Sequence, residues 1–193
     1  MTLKEKFSLN NIILASNSPR RKQFLTDLGL DFTIKPANVD ESFPLHLKGK
    51  DIALYIAEQK VSAFPNLDDN DIVITCDTVV WLENQSFGKP ETLNEAKQML
   101  MQLSGKTHQV ISAVCIKTNF KTISFYDSTD VTFNHLENET IDYYVETYKP
   151  LDKAGAYGIQ EWIGLVGIEK INGSYTNVVG MPMEKLYQHL IQL

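Results

Sequence analysis

The sequence predicts an α/β fold built on a mixed sheet, and three stretches carry that expectation. Ile12 to Ala15 is a short apolar run followed at once by a helix start, the succession expected at a parallel strand. Asp71 to Leu82 is almost continuously apolar, as a central strand covered on both faces should be. Thr107 to Lys117 and Lys121 to Phe133 alternate around Asn119, which reads as an antiparallel hairpin. No linker interrupts the chain, so the reading is one globular unit over residues 1–193, with room for two lobes.

In chain order, Ser18 is suited to cap the first helix and Pro19 to open it, and Phe24, Leu25 and Leu28 recur on one face until Gly29 stops it. Arg20 and Arg21 fall in its first turn, where unpaired N–H groups and the dipole already concentrate positive charge. The dipole disfavours cations there by up to about 1 kcal/mol, so the pair is either ordinary surface charge or the partner of an external anion. The turn after a parallel strand is where open α/β sheets bind ligands, which favours the anion. Phe32 to Lys35 reads as a short strand closed by Pro36. Asp40 and Glu41 follow in a polar loop, a carboxylate pair that is either solvated or able to hold a metal. A helix from about Asp51 to Phe64 puts Ile52, Tyr55, Ile56 and Ala63 on its core side, with Lys60 near the end where a cation suits the dipole.

Asp77 interrupts the apolar strand 71–82. A carboxylate there costs several kcal/mol unless it is paired, coordinated or open to a cleft, so it is a structural acceptor, a catalytic group or a metal ligand. Glu83-Asn84 marks a turn, and Gly88-Lys89-Pro90 offers a point charge beside a glycine that permits close approach. Thr92 to Glu95 opens a helix whose face is Ala96, Met99, Leu100 and Leu103, ended by Ser104-Gly105. Asn138 is suited to cap a helix to about Tyr148, with Tyr143 and Tyr144 as packing residues. Pro150 to Gln160 is a glycine-bearing loop around Asp152 and Lys153. It is either a connector or a place where a ligand nears the main chain, and the Gln160 amide is able to read a base edge. Ile163 to Ile171 is apolar, Asn172-Gly173 signals a hairpin turn, and Pro182 opens a closing amphipathic helix over Met183 to Ile191.

A net charge of −6 excludes the basic field of a general nucleic-acid binder and favours a small anionic substrate met by a local cation cluster. Cys76 and Cys115 sit in apolar strands and read as buried free thiols. No apolar run is long enough for a bilayer and the first ten residues lack a signal-type core, so no membrane association and a cytoplasmic location are expected. Walker and dinucleotide-fingerprint patterns do not occur, and His46, His108, His135 and His189 share no helical spacing.

Five pieces in order resemble the Maf family of nucleoside triphosphate pyrophosphatases. They are Ala15-Ser16-Asn17-Ser18-Pro19-Arg20-Arg21, Asp77-Thr78-Val79-Val80, Gly88-Lys89-Pro90, Leu103-Ser104-Gly105-Lys106-Thr107-His108 and Asp152-Lys153-Ala154-Gly155-Ala156-Tyr157-Gly158-Ile159-Gln160. The resemblance implies an elongated mixed sheet flanked by helices with a central cleft, a divalent cation (Mg²⁺ or Mn²⁺) and a homodimer. It implies hydrolysis between the α and β phosphates, which would remove non-standard or excess nucleotides. Asp77 matches the family's proton acceptor. Arg20, Thr78 and Gln160 match the branch acting on dTTP and UTP, Thr78 and Gln160 differing from the 7-methyl-GTP branch. Ser16, Ser18, Arg20, Arg21, Lys60, Lys89 and Lys153 form the expected phosphate-binding set, and Asp77 with Glu41 the expected metal ligands. Two alternatives share this framework: a nucleotide-binding regulator of septum formation and cell division, and a 7-methyl-GTP pyrophosphatase. Two residues depart from the family pattern. Cys76 replaces a small residue, and Glu161 replaces a glycine beside the residue expected to read the base.

Overall fold

In the computed structural model, which describes residues 2–193, seven strands form one mixed sheet. They are β1 (Asn11–Leu14), β2 (Phe32–Ile34), β3 (Asp71–Leu82), β4 (Gln85–Phe87), β5 (Thr107–Lys117), β6 (Thr122–Phe133) and β7 (Ile168–Asn172). Their order across the sheet is β2-β1-β3-β5-β6-β7, with β4 also paired to β3. β1 is parallel to β2 and β3, and every pairing from β3 onward is antiparallel. Around the sheet lie α1 (Leu3–Lys6), α2 (Pro19–Asp27), α3 (Lys50–Ser62), α4 (Leu93–Leu103), α5 (Asn138–Tyr148), α6 (Trp162–Val166), α7 (Tyr175–Val179) and α8 (Met183–Ile191). Among the described residues no helix is long and apolar enough to cross a membrane.

The alternation of β3 distributes the core. Ile72, Ile74 and Cys76 pack with Leu25 of α2 and Leu186 and Leu190 of α8. Val73 and Val79 lie on the other face against Ile52, Ala53, Ile56 and Ala57 of α3. A third cluster joins Leu100 and Leu103 of α4 to Ile141 and Tyr144 of α5 over Val131 and Phe133. Strand period 2 and helix period 3.6 therefore put Asp77 on the α3 side and Lys60 on the sheet side of that helix. Ala63, expected in the core, is exposed just past the end of α3.

Local signals correct two further expectations. Asn138 is the first residue of α5 rather than its cap, and Glu137 at the cap makes no side-chain bond. The apolar stretch 163–171 divides between α6 and β7. The Asn172-Gly173 turn leads into α7 rather than a hairpin partner, because Ser174 caps a helix there by accepting from the Asn177 N–H. The Thr2 capping box of α1 and the short β4 are additions to the sequence reading.

The topology also leaves a gap. β1 stops at Leu14, and its last link to β3 is the Ala15 N–H to the Ile74 carbonyl at 2.9 Å. β4 takes up the same edge only at Val80. Between these points β3 runs on with one edge free, at the end of a parallel strand and where the sheet changes from parallel to antiparallel pairing. Ligands of open α/β sheets bind at such a point.

Candidate active site

A cleft of about 480 Å³ opens at this gap, within the size range of small-ligand sites. Ser16, Ser18, Arg20, Arg21, Glu41, Lys60, Asp77, Thr78, Lys89, Lys153 and Gln160 all line it. These residues lie up to 144 positions apart in sequence, and the fold brings them to one place.

Asp77 and Lys60 form the buried centre. Lys60 Nζ donates to Asp77 Oδ1 at 2.8 Å and pairs with Glu41 Oε1 at 2.9 Å. Burial pushes the Asp77 carboxyl up, against the opposing pull of Lys60 and Arg21. Burial acts the same way on Glu41, but Lys60, Lys89 and Arg21 outweigh it and hold that carboxyl below its usual range. Asp40 turns away. It accepts from the Ser42 N–H at 2.9 Å and hydroxyl at 2.7 Å, so only Glu41 of the acidic pair reaches the cleft. Asp77 and Glu41 suit a hard divalent cation, since Mg²⁺ commonly takes one or two carboxylates and completes its shell with phosphate oxygens and water. Asp77 Oδ2 and Glu41 Oε2 are the oxygens that Lys60 leaves available.

The two arginines differ sharply. The Arg21 fork is turned inward: Nε donates to the Gly180 carbonyl at 3.0 Å, Nη1 to the Cys76 carbonyl at 2.8 Å and Nη2 to Thr78 Oγ1 at 3.1 Å. It thus supplies the hydrogen bonding that a neighbouring strand would otherwise give the free edge of β3. Arg20 points to the cleft and pairs with Asp152 Oδ2 at 3.1 Å. Ser18 Oγ accepts from the Arg21 N–H at 3.5 Å, and Ser16 Oγ from the Ser18 N–H at 3.2 Å, which shapes the turn before α2. The Thr78 hydroxyl lies 2.9 Å from Ser112 Oγ and 3.3 Å from the Gly180 carbonyl, so its single proton has partners within the protein. Gln160 is exposed.

The loop after α5 closes the cleft. Gly155 has φ +68°, and a Cβ there would meet Val80 Cγ2 at 2.9 Å, so glycine permits both the turn and the approach to β3. Its N–H donates to the Gly88 carbonyl at 3.0 Å, tying this loop to the segment that carries Lys89. Lys153 is buried and held by Asp152 Oδ1 at 2.6 Å and Glu161 Oε1 at 3.0 Å.

The assembly joins pieces from α2, α3, β3 and the segments that connect the elements, and a match to the Maf-like protein family model extends over residues 11–193. The chain belongs to the Maf family. It is 51% identical over 190 residues to the dTTP/UTP pyrophosphatase of Flavobacterium psychrophilum, covering 98% of this chain and 97% of the relative. It is 50% identical over 192 residues to the dTTP/UTP pyrophosphatase of Flavobacterium johnsoniae, covering 99% of each. A HAM1 protein from Coxiella burnetii shares the fold, with a TM-score of 0.53 at 14% identity over 95% of this chain and 100% of that one.

Sequence reasoning passed over part of the Maf cleft. Val178, Val179 and Gly180 of the α7 region form a wall, and Tyr157 lines the cleft with its hydroxyl 2.8 Å from His108 Nε2. The cap at Ser174 was the available signal for α7. Asn177, which anchors it, was not legible: it donates to the Val110 carbonyl and Thr129 Oγ1, both at 2.9 Å, and these partners exist only once β5 and β6 pair. Glu161, beside Gln160, does not line the cleft.

Proposed function

We propose that this chain hydrolyses dTTP and UTP to the nucleoside monophosphate and pyrophosphate in the cleft at the free edge of β3. The observation that carries this reading is end-to-end similarity to dTTP/UTP pyrophosphatases at about half identity. The site chemistry supports it. A triphosphate carries about four negative charges near neutral pH, and Arg20, Lys89, Lys153 and the start of α2 offer it a local positive field in an acidic protein.

In this reading a water adds to phosphorus at the α–β bridge and gives its proton to Asp77, while the bridging oxygen leaves with the other phosphate product. Burial raises the proton affinity of Asp77 against the opposing pull of Lys60, and a carboxylate with raised proton affinity suits a general base. Asp77 and Glu41 would hold a divalent cation, which when bound neutralises phosphate charge. Gln160 would meet the pyrimidine edge, with Thr78 acting through the position of Arg21 and Gly180.

The test is pyrophosphate release by the purified chain with Mg²⁺ or Mn²⁺ against dTTP, UTP, CTP, purine triphosphates and 7-methyl-GTP. Preference for dTTP and UTP with the monophosphate as product is expected. Preferred turnover of 7-methyl-GTP would overturn the specificity, and nucleotide binding without any turnover would overturn the enzyme reading.

A further inference from the structure

Glu161 stands where a bare glycine would leave Lys153 and the base-side turn less constrained, and its carboxylate is fully engaged. Oε1 pairs with Lys153 Nζ at 3.0 Å, and Oε2 accepts from the Tyr144 hydroxyl. The same Tyr144 oxygen accepts the Gly158 N–H at 3.0 Å, so one phenol ties down both the acid and the turn before Gln160. Tyr144 is fully buried, and burial together with Glu161 pushes its phenol up, so it remains the donor.

These contacts converge on Gly158. A Cβ there would stand 2.9 Å from Gln160 Nε2 and 3.0 Å from both Glu161 Cδ and Lys153 Cε. Three side chains, those of Gln160, Lys153 and Glu161, therefore close around a single glycine. The chain of contacts continues from Lys153 to Asp152 Oδ1 at 2.6 Å and from Asp152 Oδ2 to Arg20 at 3.1 Å. Trp162 follows Glu161 and packs edge-on against Tyr143 of α5 at 4.7 Å, which fixes the backbone beyond it.

We propose that Glu161 is a positioning residue for pyrimidine selectivity, holding Lys153 and the Gly158–Gln160 turn in register without touching substrate. The inference rests on the proposed pyrophosphatase activity. An amide carried on a fixed turn discriminates between a keto and an amino group on the base better than one carried on a mobile turn, because fewer orientations of its donor and acceptor ends are open to it.

Initial rates with UTP and CTP, for wild type, Glu161→Gln and Tyr144→Phe, separate this role from simple support of the fold. Glu161→Gln keeps an acceptor for Tyr144 and removes one of the two charges that hold Lys153, leaving Asp152. Tyr144→Phe keeps the charge and releases the turn. Both variants are expected to raise KM for UTP about tenfold with kcat within about threefold, and to lower the UTP-over-CTP ratio of kcat/KM at least fivefold, measured well below their Tm. A lowered Tm with unchanged KM and unchanged ratio in both variants would show that Glu161 only supports the fold and would overturn the proposal while leaving the activity standing. Wild type that releases no pyrophosphate from UTP or dTTP would remove the activity and this inference with it.

Discussion

Two buried lysines line the same cleft, each between two carboxylates, and the difference between them lies in what the inner carboxylate faces. Lys60 sits between Asp77 at 2.8 Å and Glu41 at 2.9 Å, and Lys153 between Asp152 at 2.6 Å and Glu161 at 3.0 Å. In each pair one acid is largely covered and the other more open: 11% and 46% for the side chains of Asp77 and Glu41, 19% and 56% for Glu161 and Asp152. Asp77 opens on the cleft with one oxygen clear of Lys60, whereas Glu161 faces the core with both oxygens taken. The same ionic motif is thus suited to proton transfer in one setting and to positioning in the other.

The sharpest test of that contrast pairs Asp77→Asn with Glu161→Gln. Loss of a general base lowers turnover by about 10² to 10⁴, so Asp77→Asn is expected to fall in that range and Glu161→Gln to stay within about threefold in kcat. Burial disfavours the Asp77 charge, so its removal should leave the Tm unchanged or higher. Comparable kcat losses in both variants would erase the distinction between the two lysine sites.

A second comparison removes the cations. Lys60→Met leaves Asp77 buried without its main partner, and breaking such a pair costs about 3–5 kcal/mol. Its carboxyl, already raised by burial, would be raised further in the folded chain. The destabilisation is therefore full at high pH and shrinks as pH falls through the raised folded-state value. Lys153→Met should cost less, because Tyr144 still satisfies Glu161 and Asp152 is half open to water. Urea denaturation of both variants from pH 5 to 9 reads the difference.

Much of this contrast was legible in advance on one side only. Asp77 stood out because a charge in a continuous apolar strand demands a partner, and Arg20 and Arg21 because cations oppose the dipole at a helix start. Lys60 was masked by a local explanation, the favourable helix end, although its partner lies 17 residues away. The inward turn of Arg21 could not be read, since it answers to a strand edge left free by where β1 stops. Glu161 was legible as a departure, but not its direction, which depends on Tyr144 of a helix whose packing is tertiary. The α/β class and the helix and strand succession followed from periodicity, while α6 and α7, each five residues long, are too short to show a period.

Behind the Lys153 loop, His108 supports Tyr157 and adds a pH dependence of its own. Burial pushes its imidazole down to about 4, and its Nδ1 has no partner among the described residues. The unfolded chain takes up this proton near pH 6.5 and the folded chain only near 4, so stability falls between those values as pH drops, by about 3 kcal/mol from this group. His108→Gln should lack that slope. Its deficit relative to wild type at pH 7 should narrow by about the same amount at pH 4, and parallel denaturation curves across the range would refute the assignment.

The smallest effect concerns the open acid of the second pair. Burial acts to raise the Asp152 carboxyl, but Lys153 and Arg20 outweigh it and hold it below its usual range. Its ionised form therefore stabilises the fold above the unfolded value, and that contribution is lost as pH falls through the lower folded one. Because the side chain is 56% exposed, water screens the pairs and the contribution stays below about 1 kcal/mol. Asp152→Asn is expected to lower stability at pH 7 by no more than that and to change KM for UTP about twofold, since Lys153 keeps Glu161 while Arg20 is released toward the phosphates. A tenfold rise in KM with the UTP-over-CTP ratio unchanged would instead place Asp152, and not Glu161, as the acid that orders this side of the cleft.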